Sequence, residues 1–294
     1  MEQTFQNKLV LITGGSSGIG LATARAFARQ GSNVWILSRN ADRLSAALKT
    51  IEADRIGSSQ SFGCLTADVA NADQVIPVIH DFIHSVGTPD YLINSAGVAE
   101  PGYVEEQDLA VFRQMMEINY FGTVHAIRAV VPAMLARKSG HIVNFCSIAG
   151  IIGIYGYSSY GASKFAVKGF SDTLRLELKH YGIHVTLVIP ADTDTPQLEY
   201  ENKFKPAETL ALEKAGGASR PLLPEQVASD ILKGISRNKQ TVLPGVDAKW
   251  MYVAANVVGV WAYQIMDFLM GQAWKKVPNP HQPAPWNGSH PGSD

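Results

Sequence analysis

The chain is expected to fold as an α/β unit, a doubly wound parallel sheet with helices on both faces. Three observations predict this. Strand-like and helix-like segments alternate from the start of the chain to Pro190; the strand segments are short, continuous runs rich in Val, Ile and Leu; and a glycine-rich turn follows the first of them. Alternation implies right-handed β–α–β crossovers and hence parallel strands. Unbroken apolar strands suit a sheet covered on both faces, because neither side of the pleat meets water.

The elements follow in order. "LVLIT" leads through the glycine turn into a helical stretch from Ile19 to Arg29, and "NVWILS" into a helix from Ala41 to Ala53. "SFGCLTAD" precedes a helix over Ala72 to Ser85, and "YLINSAG" a long helical pattern over Leu109 to Ala136. "GHIVNFCS", a helix over Ser158 to Tyr181 and "HVTLVIP" complete the run. After Pro190 the rhythm breaks. Residues 191–223 are polar and punctuated by Pro and Gly, with a short helix through "PAETLALEKA". An interruption this long inside a compact domain usually serves function, and here it reads as a substrate lid. Pro224 then opens a helix through "PEQVASDILKGISR", and "TVLP" is a last short strand. Residues 1–248 form the α/β domain on this reading, 249–276 an apolar segment, and 277–294, with five prolines, a disordered or loosely draped tail.

Composition excludes some partners. The 294 residues carry a net charge of −1, so no basic face recommends nucleic acid. Cys64 and Cys146 both lie in strand-like runs without metal-ligand spacing, which predicts inert core thiols in a reducing compartment. "MEQTFQNKLVLITGG" lacks signal-peptide architecture, because its apolar run enters the glycine loop directly, and a cytoplasmic start is expected.

"TGGSSGIG" places Gly14, Gly18 and Gly20, with Ser16, Ser17 and Ile19 between them, where the first strand turns into the first helix. Glycines allow a tight turn, let backbone approach a pyrophosphate and aim helix N–H groups at it. A glycine loop alone could be a plain strand–helix turn, but its position after the first strand predicts a nucleotide site in a Rossmann-type fold. Where NAD enzymes place an acid on the ribose, the second strand ends in Ser38, Arg39 and Asn40, with Arg43 one turn on. A missing acid and a present guanidinium favour a 2′-phosphate, hence NADPH.

"YGASK" sets Tyr160 and Lys164 on one helix face, with Ser147 at the end of the fifth strand and Asn119 in "MEINYFG". The ordered set "TGGSSGIG", Asp68–Val69 in "ADV", "NSAG" at 94–97, Asn119, Ser147 and "YGASK" resembles the short-chain dehydrogenase/reductase family over about residues 8–245. The resemblance implies ketone reduction. Tyr160 would give the proton, Lys164 would lower its pKa and hold the nicotinamide ribose, Ser147 would bind the carbonyl oxygen, and Asn119 would hold a relay water. It also implies cofactor contacts from Asp68, Val69, Asn94, Ala96, Gly97, Pro190, Thr193 and Thr195, and a homodimer or homotetramer built through the helices holding Asn119 and Tyr160.

"H80-D-F-I-H84" looks like a zinc motif, but Asp81 replaces the glutamate and no third ligand is apparent. It reads as an exposed pair on a helix whose Val78, Ile79, Phe82, Ile83 and Val86 face the core, and no metal is expected.

"PADTDTPQLEYENKFKPAET" is similar to a narrower group, the 3-ketodihydrosphingosine (3-dehydrosphinganine) reductases, which use NADPH on the 3-keto group of a long-chain sphingoid base. Eukaryotic members carry an N-terminal hydrophobic anchor, whereas here the first strand begins near Lys8; "NSAG" and "PAD" are small variations. A reductase of another apolar ketone (steroid or 3-oxoacyl lipid) and a non-catalytic NADP-binding membrane scaffold stay open.

The segment "WMYVAANVVGVWAYQIMDFLM", 250–270, could just span a bilayer as one helix. On such a helix Lys249, Asn256, Gln264 and Asp267 fall within about 80°. A polar stripe suits an interfacial helix, with Trp250, Tyr252, Trp261, Tyr263 and Phe268 in the headgroup boundary and Lys275 and Lys276 near lipid phosphates. Attachment to the cytosolic face of a membrane through 249–276 is therefore expected, with burial against a second subunit, a substrate funnel and a true span as alternatives.

Overall fold

The computed structural model describes residues 5–215, 220–258 and 261–283. Its strands are β1 (Leu9–Thr13), β2 (Asn33–Ser38), β3 (Phe62–Thr66), β4 (Tyr91–Asn94), β5 (Gly140–Phe145), β6 (Ile183–Val188) and β7 (Thr241–Val242). The helices that follow them are α1 (Gly18–Ala28), α2 (Ala41–Glu52), α3 (Ala72–Ser85), α4 (Leu109–Met115), α5 (Gly122–Arg137), α6 (Ser158–Lys179), α7 (Pro196–Glu201), α8 (Ala207–Ala215), α9 (Pro224–Ser236), α10 (Val246–Val258) and α11 (Trp261–Trp274).

All seven strands are parallel, in the order β3-β2-β1-β4-β5-β6-β7. Val10 pairs with Val34 on one side and Tyr91 on the other, so the order reverses at β1. The alternation of side chains splits the apolar runs between two cores. Val10, Ile12, Val34, Ile36 and Ile93 meet Phe27 of α1, Leu44 of α2 and Ile231 of α9. Leu11, Leu37, Leu92 and Ile142 point the other way, onto Ile79 of α3, Val130 of α5 and Leu174 of α6. The crevice beyond the carboxyl ends of β1 and β4 is the switch point where such sheets bind ligands.

Three sequence expectations change. The helix expected over 109–136 is α4 and α5 joined by a π-helical stretch, Met116–Phe121, whose wider turn carries Asn119. Cys64 is exposed because β3 is the edge strand, while Cys146 is buried. Val86 at the end of α3 is exposed rather than core-facing; His80 and His84 are exposed too, and His84 Nδ1 lies 2.8 Å from the His80 carbonyl oxygen. Over 250–270 the described residues form α10, which carries Asn256 and is preceded in the same helix by Lys249, and α11, which carries Gln264 and Asp267. Among the described residues no helix is long and apolar enough to cross a membrane.

Part of the tail is also fixed. Val277 is buried, and the His281 ring stacks on Tyr103 with centroids 3.7 Å apart. Residues 284–294 of the expected tail lie outside the described residues.

Candidate active site

The site is assembled at the carboxyl ends of the central strands. After β1 the chain turns at Gly14, whose φ is +70° and where a Cβ would stand 2.6 Å from the Ala96 nitrogen, so only glycine fits. Ser17, the N-cap of α1, makes no side-chain cap bond, and the first turn holds no acid. The first N–H groups of that helix therefore keep their positive end free for an anion.

At the end of β2 the Ser16 hydroxyl donates to Ser38 Oγ at 3.1 Å, and Arg39 Nη1 lies 3.7 Å from Asp68 Oδ2. Gly14, Ser16, Ser17, Gly18, Ile19, Gly20, Ser38, Arg39, Arg43, Asp68, Val69, Ala96 and Gly97 all line one cavity of about 1250 Å³. No carboxylate stands at Ser38, and two guanidinium groups do line the cavity nearby, which fits a dinucleotide with a 2′-phosphate. Two expected contacts are placed elsewhere. Asn40 caps α2, its Oδ1 accepting from the Arg43 N–H at 2.8 Å. Asn94 is buried within the sheet, donating to Asn144 Oδ1 at 2.9 Å.

The other end of the cavity holds Ser147, Tyr160, Lys164, Pro190, Thr193 and Thr195. Ser147 follows β5 and starts a 3-10 turn, Ile148–Gly150, its Oγ accepting from the Ala149 N–H at 3.2 Å. Tyr160 and Lys164 are one turn apart on α6, both buried, and Lys164 Nζ donates to the Phe145 carbonyl at 3.1 Å. Burial pushes the Tyr160 phenol well up and the charge of Glu201 adds to it, while a hydrogen bond with Ser147 acts the other way. Burial pushes the Lys164 ammonium down.

Asn119 does not line the cavity. Its Oδ1 accepts from the Val98 N–H at 2.8 Å, and its Nδ2 donates to the Val98 carbonyl at 2.9 Å and to Ser163 Oγ at 2.9 Å. It clamps the loop after β4 to α6. A Cβ at Gly97 would stand 3.2 Å from Asn119 Oδ1 and 3.4 Å from Lys164 Nζ, so a side chain there would crowd both groups.

Thr195 caps α7, accepting from the Leu198 N–H at 3.3 Å, and α7 brings Gln197 and Glu201 into the cavity wall. Neither residue was foreseen, and neither was Tyr157 beside them. Gln197 and Glu201 sit where the sequence loses its periodicity after Pro190, and Tyr157 stands just before the helix expected from Ser158. The wall continues along Trp250, Met251, Ala254 and Ala255 of α10 and Ile265 and Leu269 of α11.

A family model described as short chain dehydrogenase matches residues 8–206. The chain belongs to the short-chain dehydrogenase family. Within that family, the chain is 40% identical over 225 residues to a 3-ketodihydrosphingosine reductase of Mus musculus, covering 76% of this chain and 67% of the mouse protein. A 3-dehydrosphinganine reductase of Danio rerio is 39% identical over 239 residues, 81% of this chain and 71% of the fish protein. Among solved structures, a short-chain dehydrogenase from Sphingobium yanoikuyae in complex with NADPH is 26% identical with a TM-score of 0.71, over 88% of this chain and 94% of that one. As a short-chain dehydrogenase, the chain presents a phenol, a hydroxyl and an ammonium at one end of a cavity whose other end suits a phosphorylated dinucleotide.

Proposed function

We propose that this chain is an NADPH-dependent reductase that converts the 3-keto group of a long-chain sphingoid base to the alcohol, 3-ketodihydrosphingosine to dihydrosphingosine. The observation that carries the reading is the continuity of the cavity: a single volume passes the glycine loop, then Ser147 and Tyr160, and ends among apolar side chains of α10 and α11. A dinucleotide and a long acyl chain need such a space, with the reacting carbonyl between them. The mouse and fish relatives act, by their names, on this substrate.

Gly14, Ser16, Ser38, Arg39 and Arg43 would hold the phosphates, and Pro190, Thr193 and Thr195 the nicotinamide end. Bound NADPH supplies the hydride to the carbonyl carbon. The protein supplies the rest. The Ser147 hydroxyl donates a hydrogen bond to the carbonyl oxygen as negative charge grows on it. The Tyr160 phenol gives that oxygen its proton, and burial keeps the phenol protonated until then. The Lys164 ammonium favours the phenolate left behind and attracts the nicotinamide ribose. Asn119 fixes the loop on which Gly97 and Val98 face the cofactor.

We further propose that α10 and α11 rest on the cytosolic face of a membrane, so that substrate enters the cavity from lipid. Trp250, Val253, Val257, Trp261, Ile265 and Phe268 are exposed on these helices, and the same pair walls the apolar end of the cavity. Exposed Phe121 at the start of α5 and Phe165 and Leu176 on α6 support assembly as a homodimer or homotetramer through those helices.

The deciding experiment is NADPH oxidation in detergent micelles with 3-ketodihydrosphingosine beside a panel of soluble ketones. Turnover of the sphingoid ketone above all others is expected. Turnover of soluble ketones alone would reject the lipid substrate and leave the reductase chemistry.

A further inference from the structure

The cavity wall beside Tyr160 holds an acid that the reduction does not consume. Glu201, the last residue of α7, is 9% exposed and shares the wall with Tyr157 and Tyr160. Its Oε1 accepts from Gln197 Nε2 at 2.9 Å and its Oε2 from the Tyr157 hydroxyl at 3.1 Å. The Tyr157 ring meets the Tyr160 ring edge-on, with centroids 5.9 Å apart. The carboxyl group therefore lies one aromatic ring away from the proton donor.

Among the described residues no Lys, Arg or His nitrogen stands within 4.0 Å of Glu201. Lys205 contributes some field, but its ammonium is held 2.8 Å from Glu213, and the charge of Asp192 acts against it. Two neutral donors leave each oxygen of Glu201 with a free lone pair. A buried carboxylate so placed is costly unless a positive group joins it. Burial accordingly pushes the Glu201 carboxyl up, and the side from which a cation can come is the cavity.

We propose that Glu201 is a specificity residue that receives the ammonium of an amino ketone whose amine stands on the carbon next to the reacting carbonyl. The inference rests on the sphingoid-ketone reading above, since that substrate is a 2-amino-3-ketone. Its three parts then have separate places: amine at Glu201, carbonyl at Ser147 and Tyr160, and chain along Ala254 and Leu269. A neutral ketone of equal length fills the same cavity but leaves the carboxyl group without its partner.

The test compares 3-ketodihydrosphingosine with its desamino counterpart of equal chain length in micelles. Wild type should prefer the amine, and Glu201→Gln, which keeps the size and the hydrogen bonds to Tyr157 and Gln197, should cut that preference in kcat/KM by about tenfold or more, chiefly through KM. An unaltered preference, with both substrates slowed alike, would show that Glu201 only braces α7, and the proposal would fall. Should the variant not fold, wild type alone decides: as pH rises through the pKa of the substrate amine, KM for the amino ketone should climb while that for the desamino ketone stays level. Parallel pH profiles would overturn the assignment and leave the reductase reading intact. Turnover of neither ketone would overturn the reading beneath it, and the proposal with it.

Discussion

Lys164 Nζ lies 5.6 Å from the centroid of the Tyr160 ring, and both side chains are buried on the same face of α6. The proposed mechanism makes Tyr160 the proton donor and Lys164 its charge partner. Tyr160→Phe removes the donor and keeps the ring, so kcat should fall by about a hundredfold to ten-thousandfold. NADPH binding, followed by quenching of protein fluorescence, should be retained. A variant that keeps wild-type kcat would remove Tyr160 from the mechanism.

The 2′-phosphate end makes a separate prediction. Arg39 is half-exposed and only loosely paired to Asp68, at 3.7 Å, so its guanidinium is available to a ligand. Arg39→Ala should weaken NADPH about tenfold to a hundredfold, the worth of a charge-assisted hydrogen bond, and leave NADH nearly unaffected. Titration of both nucleotides against the variant measures this directly; equal losses for the two would place Arg39 away from the 2′-phosphate.

A buried histidine ties stability to pH. His141 lies in β5 against Thr186 of β6, with Nε2 2.7 Å from Thr186 Oγ1, whose own proton goes to the Lys239 carbonyl at 2.6 Å. Nε2 must therefore carry the hydrogen, and Nδ1 is left without a partner. Burial, with the neighbouring His184 second, pushes its pKa down to about 3. The unfolded chain takes up the proton near pH 6.5 and the folded chain does not. Stability from this group is thus whole above about pH 6.5 and is lost as pH falls toward 3, by about 1.4 kcal/mol per unit. Urea unfolding at pH 7 and pH 5 should show a shallower acid loss in His141→Leu; identical slopes would contradict the linkage.

Trp250 is 71% exposed and Trp261 63%. Rings of that size left in water are placed to enter a headgroup layer. The chain should float with phospholipid vesicles on a density gradient, and Trp250→Ser with Trp261→Ser together should leave most of it at the bottom. Loss of a dimer in the double variant, with flotation unchanged, would turn this face into a subunit contact instead.

Reading the sequence succeeded where one local requirement ruled. The turn at Gly14 needs glycine, and the i, i+4 spacing puts Tyr160 and Lys164 on one face whatever surrounds them. It failed where neighbours compete for the same side chain. Asn40 and Asn94 sit beside cavity-lining residues, yet a helix end takes the first and a strand neighbour the second. An apolar run did not tell a central strand from an edge one, so Cys64 and Cys146 looked alike.

By itself, then, the sequence determined the alternating fold, the phosphate turn, the preference for a phosphorylated ribose and the placing of Tyr160 and Lys164 on one helix face. Each rests on the backbone period or on residues a few positions apart, where geometry follows from spacing alone. The tertiary structure decided what shares the cavity. Tyr157 and Glu201 meet across a separation of 44 residues. The apolar walls of α10 and α11 close a space that begins at Gly14. Such meetings depend on how strands stack and where loops return, because packing across the sheet, and not local propensity, brings those side chains to the same end of the strands.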